Sequence, residues 1–286
     1  MKLLTLNTHS LQEENYQQKL EWFVESILKE KPDIIALQEV NQTTDAMEAE
    51  ESLKEGQYVI STQVPLKQNN HMAQVAYRLR QAGVACSWVW LPIKLGYGKY
   101  DEGVGILVLN KKITNAVAFP ISKANDYYNW RTRAVLGIQV EGLKDWFYSI
   151  HLGWWNDAEE PFLEQWKRLK EQMQQMEQPS AEVPVWLMGD FNAPDIFCDQ
   201  SYAQIRLDGW VDMHMAAEEK ESDFTVAGII DGWKDKLPDE SIKGLRLDYI
   251  WCSQAREAYS SRILFNGMRE PVVSDHFGVL VNVKEK

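Results

Sequence analysis

The stretch Val183 to Asp195, Val-Pro-Val-Trp-Leu-Met-Gly-Asp-Phe-Asn-Ala-Pro-Asp, constrains the fold more than any other. Val185 to Met188 is a short apolar run between Pro184 and Gly189, the pattern of a strand covered on both faces. At Gly189 the chain turns polar. If the extended conformation continues, Asp190 and Asn192 project to one side and Phe191 to the other, until Pro194 stops any regular continuation. A carboxylate beside a carboxamide at a strand end can hold a water molecule or an oxyanion. The same letters also fit an Asx turn, since Gly-Asp and Asn-x-Pro are ordinary turn chemistry.

The remaining chain repeats this arrangement. Leu3 to Leu6 reads as a strand ending in Asn7, Thr8, His9 and Ser10. Tyr16 to Lys29 carries Tyr16, Leu20, Phe23, Ile27 and Leu28 at helical spacing, and Asp33 to Leu37 is a second buried strand followed by Gln38, Glu39 and Val40. Strand, helix, strand makes a right-handed crossover, and ligands collect at the carboxyl ends of such strands. Helices are expected over Gln42 to Glu55, His71 to Gln81 (stopped by Gly83), Glu159 to Gln178, Tyr202 to Leu207 and Met213 to Glu219. Strands are expected over Ser87 to Leu91, Val104 to Leu109, Ala134 to Val140, Trp146 to Ile150, Leu245 to Cys252, Ile263 to Phe265 and Val279 to Val283, with loops at Gly96 to Gly103 and Ser222 to Glu240. A loop as long as the second is usually functional in a compact domain. With no Pro- or Ser-rich linker and no repeat at fixed period, residues 1–286 are expected to form a single domain.

Composition narrows the function. The 286 residues carry a formal charge of −12, which argues against gripping nucleic acid through its phosphates, although a local basic cleft would remain compatible with it. The 12 Trp and 11 Tyr suit both a deep core and a site lined with aromatic faces. Cys86, Cys198 and Cys252 are odd in number and unevenly spaced, the pattern of a reduced, cytoplasmic protein. No run approaches membrane-spanning length, and the apolar run at the N-terminus is broken too early for a signal-peptide core, so a soluble protein without membrane association is expected.

Asn7, Glu39, His151, Asp190, Asn192, Asp275 and His276 each lie just beyond an apolar strand, and Asp248 lies within one. Singly these are polar caps; eight in one chain suggest a site. Leu6-Asn7-Thr8, Leu37-Gln38-Glu39-Val40, Ser149-Ile150-His151-Leu152, Gly189-Asp190-Phe191-Asn192, Leu247-Asp248-Tyr249-Ile250 and Ser274-Asp275-His276 resemble the ordered motifs of the endonuclease/exonuclease/phosphatase superfamily. The resemblance spans Leu3 to Val283. It implies an α+β fold, a four-layer α/β/β/α sandwich of two mixed β-sheets as in deoxyribonuclease, with the site at one edge. It further implies that Glu39, helped by Asn7 and Asp275, holds Mg²⁺, with Mn²⁺ an alternative. Asp190, held by Asn192, would activate water. Asp248 would fix the tautomer of His276, and His151 would contact the phosphoryl group or the leaving oxygen. Arg133 aligns with a phosphate-contacting position, its alternative being a solvated loop charge. The family's apurinic endonucleases carry Asp two residues after the first Asn. Here that residue is His9, either a phosphate contact or a surface group.

Three functions fit these residues. A phosphomonoesterase acting on a small phosphorylated sugar fits the acidic composition and the insertion Gly153-Trp154-Trp155-Asn156-Asp157-Ala158, where Trp154 and Trp155 form either a platform for a sugar ring or part of the core. Trp130, Trp233, Tyr97 and Tyr100 lie on other candidate site loops. The chain is also similar to bacterial maltose 6′-phosphate phosphatases, which implies a disaccharide phosphate as substrate. A metal-dependent endonuclease or other phosphodiesterase would need a basic groove, for which only Lys94, Lys99, Arg131 and Arg133 present themselves. A non-catalytic module binding through its aromatic loops would be expected to carry a broken motif, and none is broken. No protein partner is evident in the sequence.

Overall fold

Along the strand Lys2–Asn7 (β1), Leu3 enters one apolar core while Leu4 and Leu6 enter another, the alternation of a strand buried on both faces. The computed structural model describes residues 1–175, 183–196, 201–221, 224–227 and 244–285. Cys198, Trp233, the end of the helix expected to reach Gln178 and most of the loop from Ser222 to Glu240 lie outside the described residues.

Strand β1 sits inside a seven-stranded mixed sheet. Its spatial order is β10 (Ala217–Lys220), β14 (Ala258–Leu264), β15 (Gly278–Val283), β1, β2 (Ile34–Thr43), β4 (Tyr100–Leu109) and β3 (Cys86–Gly96). A six-stranded mixed sheet runs β5 (Ile113–Pro120), β6 (Ala134–Val140), β7 (Trp146–His151), β8 (Val185–Asp190), β13 (Asp248–Cys252) and β9 (Val211–Asp212). The short pair β11 (Val226–Ala227) and β12 (Gly244–Leu245) stands apart. Between the two sheets pack Leu3, Ile34, Ala36 and Ile106 from the first, against Ile138, Phe147, Trp186, Met188 and Ile250 from the second. Helices α1 (Tyr16–Glu30) and α3 (His71–Gln81) cover the outside of the first sheet with Phe23, Ile27, Val75 and Leu79, and the single turn α2 (Glu51–Lys54) lies beside α3. Helices α4 (Phe162–Gln175) and α5 (Tyr202–Leu207) cover the second with Phe162, Trp166, Leu169, Tyr202 and Ile205. The result is a four-layer α/β/β/α sandwich of α+β class.

Helices α1, α3 and α5 fall where the apolar spacing places them, and β1 and β2 pair in parallel across the α1 crossover. Four expectations are corrected. The segment from Gln42 to Glu55 is helical only at Glu51–Lys54, because Gln42 stays in β2. There its buried carboxamide donates to Asp101 and the Pro65 carbonyl and accepts from the Lys67 N–H and Asn70. Those long-range bonds outweigh local helix propensity. Gly96 to Gly103 is mostly not loop, since Gly96 pairs with Tyr100 and the β3–β4 hairpin turns within three residues. Met213 to Glu219 is a turn leading into β10, which pairs in parallel with β14. Asp248 opens β13 rather than sitting inside a longer strand. Strand β5 carries no clean alternation, being an edge strand exposed at Asn115 and Ala118 and other positions, and it was not expected from the sequence.

Gly189 fixes the approach of β8 to β7. A Cβ there would stand 1.9 Å from the Ile150 carbonyl oxygen, with φ at +153°. Gly189→Ala is therefore expected to destabilise the fold by at least about 2 kcal/mol through clash and backbone strain. Urea denaturation checks this: an unchanged midpoint would show that the strands can separate freely.

Candidate active site

The alternation that builds the core delivers the site, one step beyond the last apolar residue. From Met188, Phe147 and Ile250 on the inner face, strand parity leads to Asp190, His151 and Asp248. Pairing sets these three in a row, with His151 opposite Asp190 and Asp190 opposite Asp248. On the facing sheet, parity from Leu3 through Thr5 leads to Asn7.

Glu39 arrives by a different device. In β2, Leu37 pairs with Gly105 but Val40 pairs with Gly103, so β2 holds one residue more than β4, a β-bulge. Glu39 occupies it with φ at +50°. That conformation costs a non-glycine residue roughly 1–2 kcal/mol. The bulge leaves Gln38 inward and Val40 outward and frees Glu39 toward the strand tips. Gln38 is fully buried and donates to Ser149 Oγ at 3.0 Å, while Ser149 Oγ donates to the Leu37 carbonyl at 3.0 Å. A polar layer thus ties the sheets together beneath the site.

Asn7 Nδ2 donates to Glu39 Oε1 at 3.0 Å and to Asp190 Oδ2 at 3.1 Å. Asp190 Oδ1 accepts the Asn192 N–H at 2.8 Å, and Asn192 Nδ2 reaches Asp190 Oδ2 at 3.3 Å and the Leu152 carbonyl at 3.0 Å. Strand conformation does not continue to Asn192, which turns to φ +47°. The Asx turn and the paired side chains are therefore both present. Phe191 is buried edge-on against Tyr249 and Trp251.

His276 Nδ1 meets Asp248 Oδ2 at 2.9 Å, and its Nε2 lies 3.9 Å from Asp190 Oδ2. Its loop is pinned by Ser274 Oγ, which donates to the Asn7 carbonyl at 2.7 Å. Burial alone would depress the His276 pKa, but the Asp248 and Asp190 carboxylates outweigh it and hold the imidazole well above its usual range. His151 Nε2 is 3.8 Å from Asp190 Oδ2 and 3.9 Å from Glu39 Oε1. Burial, and then Arg133, Lys94 and His276, hold it well below the usual range, so it is neutral. Burial also raises Asp190, with Asp248 adding to the rise and His276, the Asn192 N–H and Asn7 opposing it. Glu39 is raised by burial, then by Glu102 and Asp275.

These groups open into a cleft of about 500 Å³. Arg133 lines it, buried, with one guanidinium nitrogen donating to the Trp130 and Thr132 carbonyls while Nε has no hydrogen-bond partner among the described residues. Trp154 lines the wall edge-on to Trp130, ring centroids 6.3 Å apart. Trp155 is not among the cleft-lining residues: its side chain packs against the outer core of the second sheet, and its backbone N–H donates to the Asn192 carbonyl at 3.1 Å. Tyr97 lines the mouth, whereas Tyr100 is buried and donates to the Leu11 carbonyl. Asp275 and His9 line the near side, His9 Nδ1 lying 2.7 Å from Glu13 Oε1. Burial lowers the His9 pKa, but Glu13, Asp275 and Glu39 overcome that and bring it up to about 9. Lys94, which the sequence offered only as a basic-groove candidate, pairs at 3.0 Å in the cleft wall with Glu102, which the sequence did not single out. The signal for Lys94 is an ionisable residue between Ile93 and Leu95 at the end of an apolar run.

Among the described residues two groups bring ligand atoms within 4.8 Å of one another: His9, Glu13 and Asp275, and the buried Asp190, Asp248 and His276. In the second, Asp248 Oδ1 is buried without a hydrogen-bond partner among the described residues. Around Glu39, the burial and the nearby Glu102 and Asp275 carboxylates form the oxygen-rich, mutually repelling donor set that a hard divalent cation relieves. The site thus fits such an ion.

A model of the Endonuclease/Exonuclease/phosphatase family matches residues 4–276. The chain belongs to that family. Its members are hydrolases, among them phosphatases and nucleases, and typically depend on a divalent metal. The chain is similar in structure to a family protein from Leptotrichia buccalis C-1013-b, at 27% identity and TM-score 0.81, with 100% of both chains covered. It shares its fold with a mannosyl-6-phosphatase from Bacteroides thetaiotaomicron VPI-5482 (14% identity, TM-score 0.66, 100% of both chains covered). It also shares it with TDP2 from Caenorhabditis elegans (16%, TM-score 0.62, covering 100% of this chain and 74% of that one). No curated protein matches by sequence.

Asp248→Asn is expected to remove the charge that does most to hold the His276 pKa up, so its titration midpoint should fall. NMR titration of the imidazole C–H signals checks this; an unmoved midpoint would place the cause elsewhere.

Proposed function

We propose that the chain is a Mg²⁺-dependent phosphomonoesterase acting on a small phosphorylated sugar, a disaccharide phosphate such as maltose 6′-phosphate. One observation carries the reading: the buried Arg133, its Nε without a hydrogen-bond partner among the described residues, shares a cleft with the Trp130–Trp154 wall, a site for a phosphate next to a site for a sugar ring. The fold shared with a mannosyl-6-phosphatase is in keeping with it.

In this reading Asp190 takes the proton of the attacking water, and Asn192 and Asn7 hold its carboxylate in place. Its raised pKa brings the base nearer the operating pH. His276, cationic and oriented by Asp248, directs its Nε2–H at a phosphoryl oxygen, and neutral His151 donates to the phosphoryl group or the leaving oxygen. Arg133 binds the phosphate, and Trp154 meets the sugar. Trp155 acts from behind, through its backbone bond to Asn192. Glu39, with Asp275 and the Oδ1 of Asn7, would hold Mg²⁺. Bound there, the ion would neutralise charge on the phosphoryl oxygens. General-base help supplies about 10²–10⁴ of an acceleration that reaches ~10²¹ for monoesters, so oriented donors and the ion carry most of it.

Purified protein with Mg²⁺ should release phosphate from maltose 6′-phosphate and related sugar phosphates, leave plasmid DNA intact and fall silent with EDTA. Nicked plasmid without sugar-phosphate turnover would favour the nuclease reading. Asp190→Ala should lower kcat by about 10²–10⁴ with folding unchanged by circular dichroism; wild-type turnover in that variant would refute the role. The base works ionised, so kcat/KM should fall as pH drops, with an inflection above the ordinary aspartate value of about 3.9. A limb at or below that value would remove Asp190 as the base.

A further inference from the structure

Lys94 lines the cleft, and the proposed chemistry leaves its placement unused. On the inner side of the first sheet it pairs across β3–β4 with Glu102, which pairs in turn with Asn41 of β2. Facing the row His151, Asp190 and Asp248, this is a second polar row, on the opposite sheet. A bulge between Pro92 and Lys94 turns Lys94 to that face. The ammonium is buried and has two acceptors, Glu102 Oε1 at 3.0 Å and the Trp130 carbonyl at 3.2 Å. An ammonium has three hydrogens, and the third has no acceptor among the described residues.

The same Trp130 carbonyl takes a hydrogen bond from Arg133 at 2.8 Å. Two buried cations therefore converge on one oxygen, both lining the cleft, and among the described residues Glu102 is the one carboxylate paired directly to either. Like charges held together in low dielectric are unfavourable unless an anion joins them. We propose that Lys94 is a second cationic arm of the phosphate subsite, and that with Arg133 it selects the doubly charged phosphate of a monoester over the singly charged phosphate of a diester. This rests on the phosphomonoesterase reading for its substrate, but the subsite binds inorganic phosphate by the same contacts. Because both arms hold the Trp130 carbonyl, the phosphate grip and the aromatic wall move as one unit, so anion binding also sets the wall that meets the sugar.

The test uses Lys94→Met, Lys94→Arg and the double variant Lys94→Met/Glu102→Gln, which removes the ion pair as a whole and leaves no lone buried carboxylate. Each is checked for folding by circular dichroism and thermal melting. In calorimetry with inorganic phosphate and Mg²⁺, the double variant should bind at least tenfold more weakly than wild type, and Lys94→Arg should recover part of the loss. In turnover, kcat/KM for a sugar phosphate monoester should fall about 100-fold, the scale for losing a buried charge contact, while that for bis-p-nitrophenyl phosphate falls tenfold or less. Unchanged phosphate affinity in a folded double variant would overturn the proposal, as would equal losses on monoester and diester. If no phosphate ester is hydrolysed by wild type, the phosphomonoesterase reading fails, and the calorimetry still decides whether Lys94 holds phosphate.

Discussion

The Asn7 carboxamide joins the two halves of this molecule. Its two N–H groups reach Glu39 on its own sheet and Asp190 on the facing one, at 3.0 and 3.1 Å, with Asn7 and Asp190 themselves buried. Both acceptors are carboxylates that burial has made costly to charge, so the donor between them matters more than an exposed amide would. Sheet-to-sheet distance, the direction of the Glu39 side chain and the position of Asp190 all depend on it. Beneath it, Gln38 and Ser149 repeat the bridge with neutral groups, giving the site a floor that neither sheet could provide alone.

On that floor the histidines are driven in opposite directions. His276 has Asp248 against Nδ1 and is cationic; His151, with Arg133 and Lys94 nearby and, among the described residues, no carboxylate within hydrogen-bond distance, is neutral. Two identical side chains thus offer different chemistry, one a charged donor and the other an uncharged one. The difference arises from which strand tip each faces: His276 looks across to the Asp190–Asp248 row, while His151 sits in that row beside the cations.

On the proposed reading, the cleft also reconciles an acidic protein with an anionic substrate. A formal charge of −12 is spread over the chain, yet the cleft buries Arg133 and Lys94 side by side. A small phosphate can reach them there, whereas a long polyanion would also meet the acidic surface. On the proposed reading, short-range complementarity and long-range repulsion would together favour a small substrate.

Residue order alone determined the helices at Tyr16 and His71, the buried strand at Val185 and the set of polar strand tips, because burial imprints periods of 2 and 3.6 on the sequence. It also pointed to Asn7, Glu39, His151, Asp190, Asn192, Asp248, Asp275 and His276, and the structure gathers all of them at one end of the sandwich. Only the tertiary structure could decide what depends on register between distant segments. The bulge that frees Glu39 is defined against β4. The pairing of Lys94 with Glu102 is defined across a hairpin that reads as loop. Trp154 and Trp155 are adjacent and chemically alike, and no local pattern separates them. The outer core takes one and the cleft the other, because that division depends on what packs behind the segment, and that lies elsewhere in the chain.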